Sequence, residues 1–291
     1  MKVSEIGSHF YSYFKRKLSH IPDLFIFEII ASFCYCCWTF FQPNHWAESL
    51  TWYPAFTTGL TVYVIIVMNN TTAIVHFNPA ITLSFLISGE LPWFDAIWFI
   101  TAQFIGGIIA GISAWAIMGF QENSSQTISK SLSTNETEIL SSIVKMYALD
   151  VPEDLKILPG ILSECLFSVF MCTAALIAVY NKSFNDGTGA LMVGLNVFLG
   201  IGAGSKIGAG CLNPLRSAAP WLFHPVHLVR NWIFMIGPLI GALIAGFMYR
   251  LVFKERKVPI VRWSVNHKEY HNWSLRIYLC GFAAWRTAKS I

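Results

Sequence analysis

Asn78-Pro79 and Asn213-Pro214 stand 135 residues apart, and this single offset superposes the two halves of the chain. Thr58-Gly59-Leu60-Thr61-Val62-Tyr63 falls on Val193-Gly194-Leu195-Asn196-Val197-Phe198, and Gly106-Gly107-Ile108-Ile109-Ala110-Gly111 falls on Gly241-Ala242-Leu243-Ile244-Ala245-Gly246. Glu28 and Glu164 correspond within one residue of the same register. The fold must therefore present one structural unit twice. Only 12% of the 291 residues are charged and 55% are hydrophobic. That is about half the charge of an ordinary soluble domain, too little to clothe the unit for water. Apolar stretches close to the roughly 20 residues that cross a bilayer run at 24 to 41, 53 to 68, 93 to 120, 157 to 180, 187 to 204 and 228 to 253. The expected fold class is an all-α membrane protein with six transmembrane helices, three per half. An odd number of spans makes the second half enter from the opposite face. The repeats are then inverted about an axis in the membrane plane, and equivalent residues meet near the midplane.

This reading divides the chain into a tail at 1-21, a first repeat at 22-120, a connecting loop at 121-156, a second repeat at 157-253 and a basic tail at 254-291. The cluster Lys15-Arg16-Lys17 precedes the first span without a signal-peptide core or small-residue cleavage site, so that span is expected to be retained. Lys254, Arg256, Lys257 and Arg262 follow the last span, whereas residues 42 to 52 hold no Lys or Arg. Both termini are therefore expected in the cytoplasm and the 121-156 loop outside. That loop carries Asn123 and Asn135 as glycosylation acceptors by pattern, although Asn272 in the tail fits the same pattern on the wrong side. The net charge of +4 is accounted for by topology and lipid headgroups, and no nucleic-acid partner is needed. The tail beyond 254 interleaves Trp and Tyr with Lys and Arg, as an interfacial segment or a disordered trafficking tail would. Seven cysteines show neither disulfide nor zinc spacing. They read as packing residues, with Cys211 alone placed to face a pore.

The two Asn-Pro boxes lie in segments too short to cross. Asn is a strong N-cap, and Pro fits the first helical turn because its missing N–H would be unpaired there anyway. Asn78-Pro79-Ala80 and Asn213-Pro214-Leu215 should each open a short re-entrant half-helix. Non-helical backbone at membrane depth is tolerated only inside protein or along a water-filled cavity. A polar path through the middle follows. Half-helices entering from opposite faces bring their positive ends together, which repels cations. The Asn78 and Asn213 amides offer donors to a permeating oxygen, and carbonyls of 74 to 77 and 209 to 212 offer acceptors. Arg216 has Ile81 as its repeat image, so a fixed charge stands on one side only. Glu28 and Glu164, costly inside a membrane unless paired, are expected to accept hydrogen bonds from the re-entrant segment of their own half.

His76-Phe77-Asn78-Pro79-Ala80-Ile81-Thr82 and Gly210-Cys211-Leu212-Asn213-Pro214-Leu215-Arg216-Ser217 resemble the paired boxes of the aquaporin, or major intrinsic protein, family over roughly residues 22 to 253. The resemblance implies a homotetramer with one pore per subunit and a filter near the outer mouth made by Thr58, Ile201, Gly210 and Arg216. Strict water channels carry Phe and His at the first two filter positions, so Thr58 and Ile201 imply a wider, less polar constriction. Glycerol-conducting members carry Asp where this chain has Ser217. Leu215 replaces the usual small residue, and its extra volume is expected to shift or narrow the junction. These departures resemble the divergent "unorthodox" or super-aquaporin branch, which implies either a plasma membrane or an endoplasmic reticulum location.

The leading expectation is a passive channel for water, with glycerol or a similar neutral solute admitted. A non-conducting or gated structural membrane protein on the same scaffold is the alternative, and a coupled transporter or enzyme is a third class. The last lacks support, because the chain shows no His-rich metal motif and no nucleophile–base pair. Neither a cofactor nor catalysis is expected.

Overall fold

The computed structural model describes residues 3–41, 52–69, 74–126, 156–180, 187–205, 207, 210–223 and 231–254. Asn135, the 42–51 connection, Ala209 and the tail beyond 254 lie outside them, as does the side chain of Asn123. Eight α-helices occupy the described residues: α1 Val3–Phe40, α2 Trp52–Asn69, α3 Pro79–Ser88, α4 Trp93–Gln126, α5 Ile157–Tyr180, α6 Thr188–Ser205, α7 Pro214–Phe223 and α8 Ile233–Met248, the last followed by a π-helical stretch Tyr249–Lys254.

Five of these, α1, α4, α5, α6 and α8 with its π-helical continuation, contain segments long and apolar enough to cross a membrane. The sixth span expected from the sequence is α2, which equals α6 in length at 18 residues but is more polar. Its polar side chains are turned back on their own helix: Thr57 Oγ1 donates to the Tyr53 carbonyl at 2.8 Å, Thr61 Oγ1 to Thr57 at 2.8 Å and Asn69 Nδ2 to Ile65 at 2.8 Å. Hydroxyls satisfied in this way expose little unpaired polarity to lipid. Two boundaries differ from the sequence reading. Helix α1 runs on from the expected 1-21 tail through Pro22, and α4 continues to Gln126 inside the expected 121-156 loop. The apolar parts still begin at Pro22 and end at Ala114. Polar sequence prolongs both helices beyond the apolar stretch, since apolar length sets what can be buried in hydrocarbon and does not decide where a helix stops.

Helices α3 and α7 have ten residues each, about 15 Å of helix and half of the ~30 Å hydrocarbon core. Asn78 caps α3 from extended backbone, Pro79 fills its first turn, and Gly89 closes it in the left-handed region at φ 75°. Each half thus consists of three long helices and one half-helix.

The inversion is visible where the halves touch. Helices α1 and α4 pack together, as do their images α5 and α8, while α2 packs on α6 across the repeat boundary. At that last crossing a Cβ added to Gly59 would stand 2.6 Å from the Gly194 carbonyl oxygen, and one added to Gly194 would stand 2.6 Å from that of Gly59. Phe198 Cβ lies against the first and Tyr63 Cβ against the second, and these are repeat images. Such reciprocal contact is the mark of a two-fold relation. The same correspondence holds between Gly106, pressed on Ile29 and Ser32, and Gly241, pressed on Cys165 and Ser168.

Gly59→Ala or Gly194→Ala sets a methyl against backbone that cannot swing aside. Each is expected to cost about 1–3 kcal/mol, the usual range for overpacking, read as a lower apparent melting temperature in detergent. Gly202→Ala, whose added carbon would meet only Ala55 Cβ at 3.9 Å, should leave the melting curve unchanged.

Candidate functional site

The site grows from the segments that precede the half-helices. Phe77 and Leu212, repeat images directly before the two box asparagines, have φ of 37° and 56°. A left-handed L-residue costs roughly 1–2 kcal/mol, so each needs compensation. The reversal lets neighbouring peptide groups serve two partners. Toward the protein side, the N–H groups of His76 and Phe77 donate to Glu28 Oε2 and Oε1 at 2.8 and 2.6 Å. In the second half, the N–H groups of Gly210, Cys211 and Leu212 donate to Glu164 at 2.5, 2.7 and 2.8 Å. Hydrogen bonds to a charged group contribute about 1.5–3 kcal/mol each, enough to offset the backbone cost. Glu28 and Glu164 are buried, at 1% and 0% exposure.

Toward the centre, the carbonyls freed by the same reversal receive the asparagines of the opposite half. Asn78 Oδ1 accepts from the Ala80 N–H at 2.9 Å and Asn213 Oδ1 from the Leu215 N–H at 3.0 Å, which fixes the amide orientation. Asn78 Nδ2 then donates to the Leu212 carbonyl at 3.1 Å, and Asn213 Nδ2 to the Phe77 carbonyl at 2.9 Å. The positive ends of α3 and α7 are tied together by this crossed pair. A cavity beside the tie, lined by Tyr35, Val62, Phe77, Asn78, Ile81, Met171, Val197, Leu212 and Asn213, has room for the centre of about one water molecule. Four repeat-related pairs make up eight of these nine residues.

Sequence reasoning missed Tyr35 and Met171, the pair facing the asparagines from α1 and α5. A signal existed, since each lies seven residues, two helical turns, after Glu28 or Glu164 and hence on the same helix face. Tyr35 lies against the Phe77 ring at 5.6 Å between centroids, and Asn78 Nδ2 approaches Met171 Sδ at 3.7 Å. Gln103 was missed as well. Its Nε2 donates to Glu28 at 2.6 Å and to Thr82 Oγ1 at 2.8 Å, in place of the third backbone donor that Glu164 has. Thr82 Oγ1 also meets His76 Nδ1 at 3.1 Å, and the His76 ring lies between Phe85 and Phe99 at 4.7 and 4.5 Å. The repeat image of Gln103 is Pro238, a mismatch that marks the position.

Of the four residues assigned to a filter, Thr58 lies buried on α2, Ile201 on α6 and Arg216 in the first turn of α7 at 7% exposure. Gly210 and Ile201 are brought together: a Cβ at Gly210 would stand 3.0 Å from the Ile201 carbonyl oxygen, and its φ of 117° suits glycine alone. Ser217 donates to the Asn231 carbonyl at 3.1 Å. Cys211, expected to face a pore, has its thiol on the Asn213 carbonyl at 3.1 Å and is 1% exposed. It is not among the residues lining the central cavity. Leu215 is fully buried and does not line that cavity either. No cluster of His, Cys, Asp and Glu among the described residues could hold a metal.

Comparison with known proteins places this geometry. The sequence model of the family described as Major intrinsic protein matches residues 18–249. Aquaporin A of Dictyostelium discoideum is 27% identical over 62% of this chain and 58% of its own length, and Aquaporin-5 of Mus musculus is 31% identical over 60% and 58%. The chain thus spans under two thirds of these relatives. A glycerol uptake facilitator protein of Streptococcus pneumoniae is 27% identical over 66% of this chain and 80% of its own. The X-ray structure of the aquaglyceroporin from Plasmodium falciparum superposes with a TM-score of 0.60 at 14% identity, over 81% of this chain and 98% of that one, which shows a shared fold.

Replacing either carboxylate by its amide tests the support of the segments. Glutamine keeps one acceptor oxygen and turns an NH2 toward backbone N–H groups, so at least one buried donor loses its partner at about 1–3 kcal/mol. Glu164→Gln and Glu28→Gln are each expected to lower the apparent melting temperature by several degrees. Gln103→Leu should fall well short of either, because it leaves every backbone donor paired and discards a buried Oε1 that has no partner.

Proposed function

Because the chain belongs to the major intrinsic protein family, a family of channels and not of enzymes, we propose that it is a passive channel whose path runs past the two box asparagines and conducts water and small neutral solutes such as glycerol. The observation that carries this reading is the crossed amide tie with, directly beside it and the two helix N-termini, a cavity that has room for about one water. Each N-terminus is equivalent to about half an elementary charge, so a cation meets repulsion where a neutral oxygen meets donors. One proton of each Asn amide is committed to the opposite carbonyl, and the second proton of Asn78 points at Met171 Sδ at 3.7 Å, a weak acceptor that a permeating oxygen can displace. A water held there as acceptor donates away in both directions, which interrupts a proton wire.

On this reading Thr58, Ile201, Gly210 and Arg216 form the outer filter. Ile201 and Gly210 supply an apolar side chain and bare backbone, and Arg216 supplies the fixed positive donor. A site so furnished favours small uncharged solutes broadly, in keeping with a likeness to proteins named aquaporins and to one named a glycerol uptake facilitator. We assign the chain to a divergent branch because of Leu215 and this filter. A homotetramer, cytoplasmic termini, a 121-156 loop outside and an endoplasmic reticulum or plasma membrane setting belong to the same proposal. The tightness of the central cavity favours, as second reading, a gated or non-conducting protein on this scaffold.

Stopped-flow shrinkage of proteoliposomes decides between the two. The natural chain is expected to pass water with low activation energy. The Asn78→Asp, Asn213→Asp pair keeps both caps but loses both crossed donors, worth about 1.5 kcal/mol each, and should cut water flow by at least about tenfold. Arg216→Ala is expected to raise glycerol flow relative to water. Inserted protein that passes neither solute faster than empty lipid would sink the conducting reading and leave the gated one.

A further inference from the structure

Leu215 stands where the first box has Ala80, so three extra carbon atoms enter the second half-helix immediately beside the cavity. They are fully buried and yet absent from the cavity wall. The destination is α4. A Cβ built on Gly107 would lie 2.8 Å from Leu215 Cδ1 and 3.3 Å from both Leu215 Cγ and Ala219 Cβ. Gly107 has Ala242 on α8 as its repeat image, and α3 packs on α8 as α7 packs on α4. The half that carries Ala in its box faces a helix with Ala at this level, and the half that carries Leu faces one with Gly. Leu215 is also the residue whose N–H is held by Asn213 Oδ1 at 3.0 Å, so any displacement of Leu215 is transmitted to the amide at the cavity.

We infer that Gly107 is a positioning residue for conduction: the notch it leaves in α4 seats Leu215 away from the lumen, and the Leu215–Gly107 pair thereby sets the place of Asn213 and the width of the central constriction. This rests on the channel reading above. A methyl group at 107 would leave Leu215 two exits. Either its Cδ1 swings toward the box junction, or α7 moves off α4 and carries Asn213 with it. Both alter the path, while a notch that merely packed helices would alter only stability.

The test is a cycle of Gly107→Ala, Leu215→Ala and the double variant, each measured for water and glycerol flow per inserted protein and for melting temperature. Gly107→Ala is expected to lower water flow at least about threefold and to change the water-to-glycerol ratio. The double variant, which copies the alanine pair of the other half, should restore flow and ratio, and it should melt above the Leu215→Ala single variant. Natural flow in Gly107→Ala, or a double variant no better than Gly107→Ala alone, overturns the inference. If the natural chain conducts neither solute, the channel reading falls by itself. The melting cycle still decides the seating, because additive losses would show that the two residues do not share the notch and would overturn it.

Discussion

A peptide group that leaves a helix inside hydrocarbon has no water to turn to, and each one left unsatisfied costs several kcal/mol. Everything at the centre of this molecule follows from meeting that constraint twice. Glu28 and Glu164 collect the N–H groups of the irregular segments on the protein side, which leaves the opposite faces of those segments to present carbonyls. The left-handed residues Phe77 and Leu212 make the division of labour feasible, since extended backbone would alternate its donors and acceptors across both sides. Once the carbonyls of 77 and 212 face inward, the asparagines of the other half can reach them. The carboxylates therefore hold the tie at a distance, without touching it.

Symmetry explains why the tie is reciprocal, and its violations mark residues that the two-fold relation leaves free to differ. The Gly59–Gly194 crossing and the crossed asparagines are contacts of repeat images with one another, so both lie close to the two-fold axis. Residues there must suit both halves at once, which is why they match in type. Farther away the constraint relaxes. Gln103 corresponds to Pro238 in the repeat register, and Arg216 to Ile81. A pore needs one end to differ from the other if a charged filter is to stand at a single mouth. Divergence off the axis permits this without loosening the centre.

Much of this was legible in the sequence because the bilayer narrows the choices. Apolar length marked the long helices, and the register of Asn78 with Asn213 marked both half-helices and their caps. Helix α2 was found as the apolar stretch at 53 to 68, and the repeat register supports it, although its hydropathy is diluted by Thr and Asn that bond back to their own backbone. What escaped were residues whose meaning depends on direction. Gln103, Tyr35 and Met171 lie in apolar runs where a linear reading assigns packing; the helix face shared with Glu28 or Glu164 separates Tyr35 and Met171 from their neighbours, and the mismatch with Pro238 marks Gln103. The Cys211 thiol, two residues before the box, reaches the Asn213 carbonyl. The helical extension of α1 down to Val3 was hidden for a different reason: apolarity reports burial, and a polar helix beyond the membrane carries no such signal.

Leu215 brings these threads together. Judged from its box alone, a large side chain at the meeting point of two half-helices ought to obstruct them. The obstruction is avoided because a half-helix has two sides, one toward the axis and one toward the long helix behind it. Ala and Leu at this position differ only in how far they reach toward that second helix. Side chains on a helix cover the turn N-terminal to their own Cα, so from the first turn of α7 the reach is toward the level of the box itself. At that level α4 presents Gly107. The adaptation thus lies in a helix of the opposite repeat, 108 residues away in sequence. Divergence in one box is tolerated where the partner helix yields volume, and the geometry around Asn213 is kept because the change is absorbed behind it.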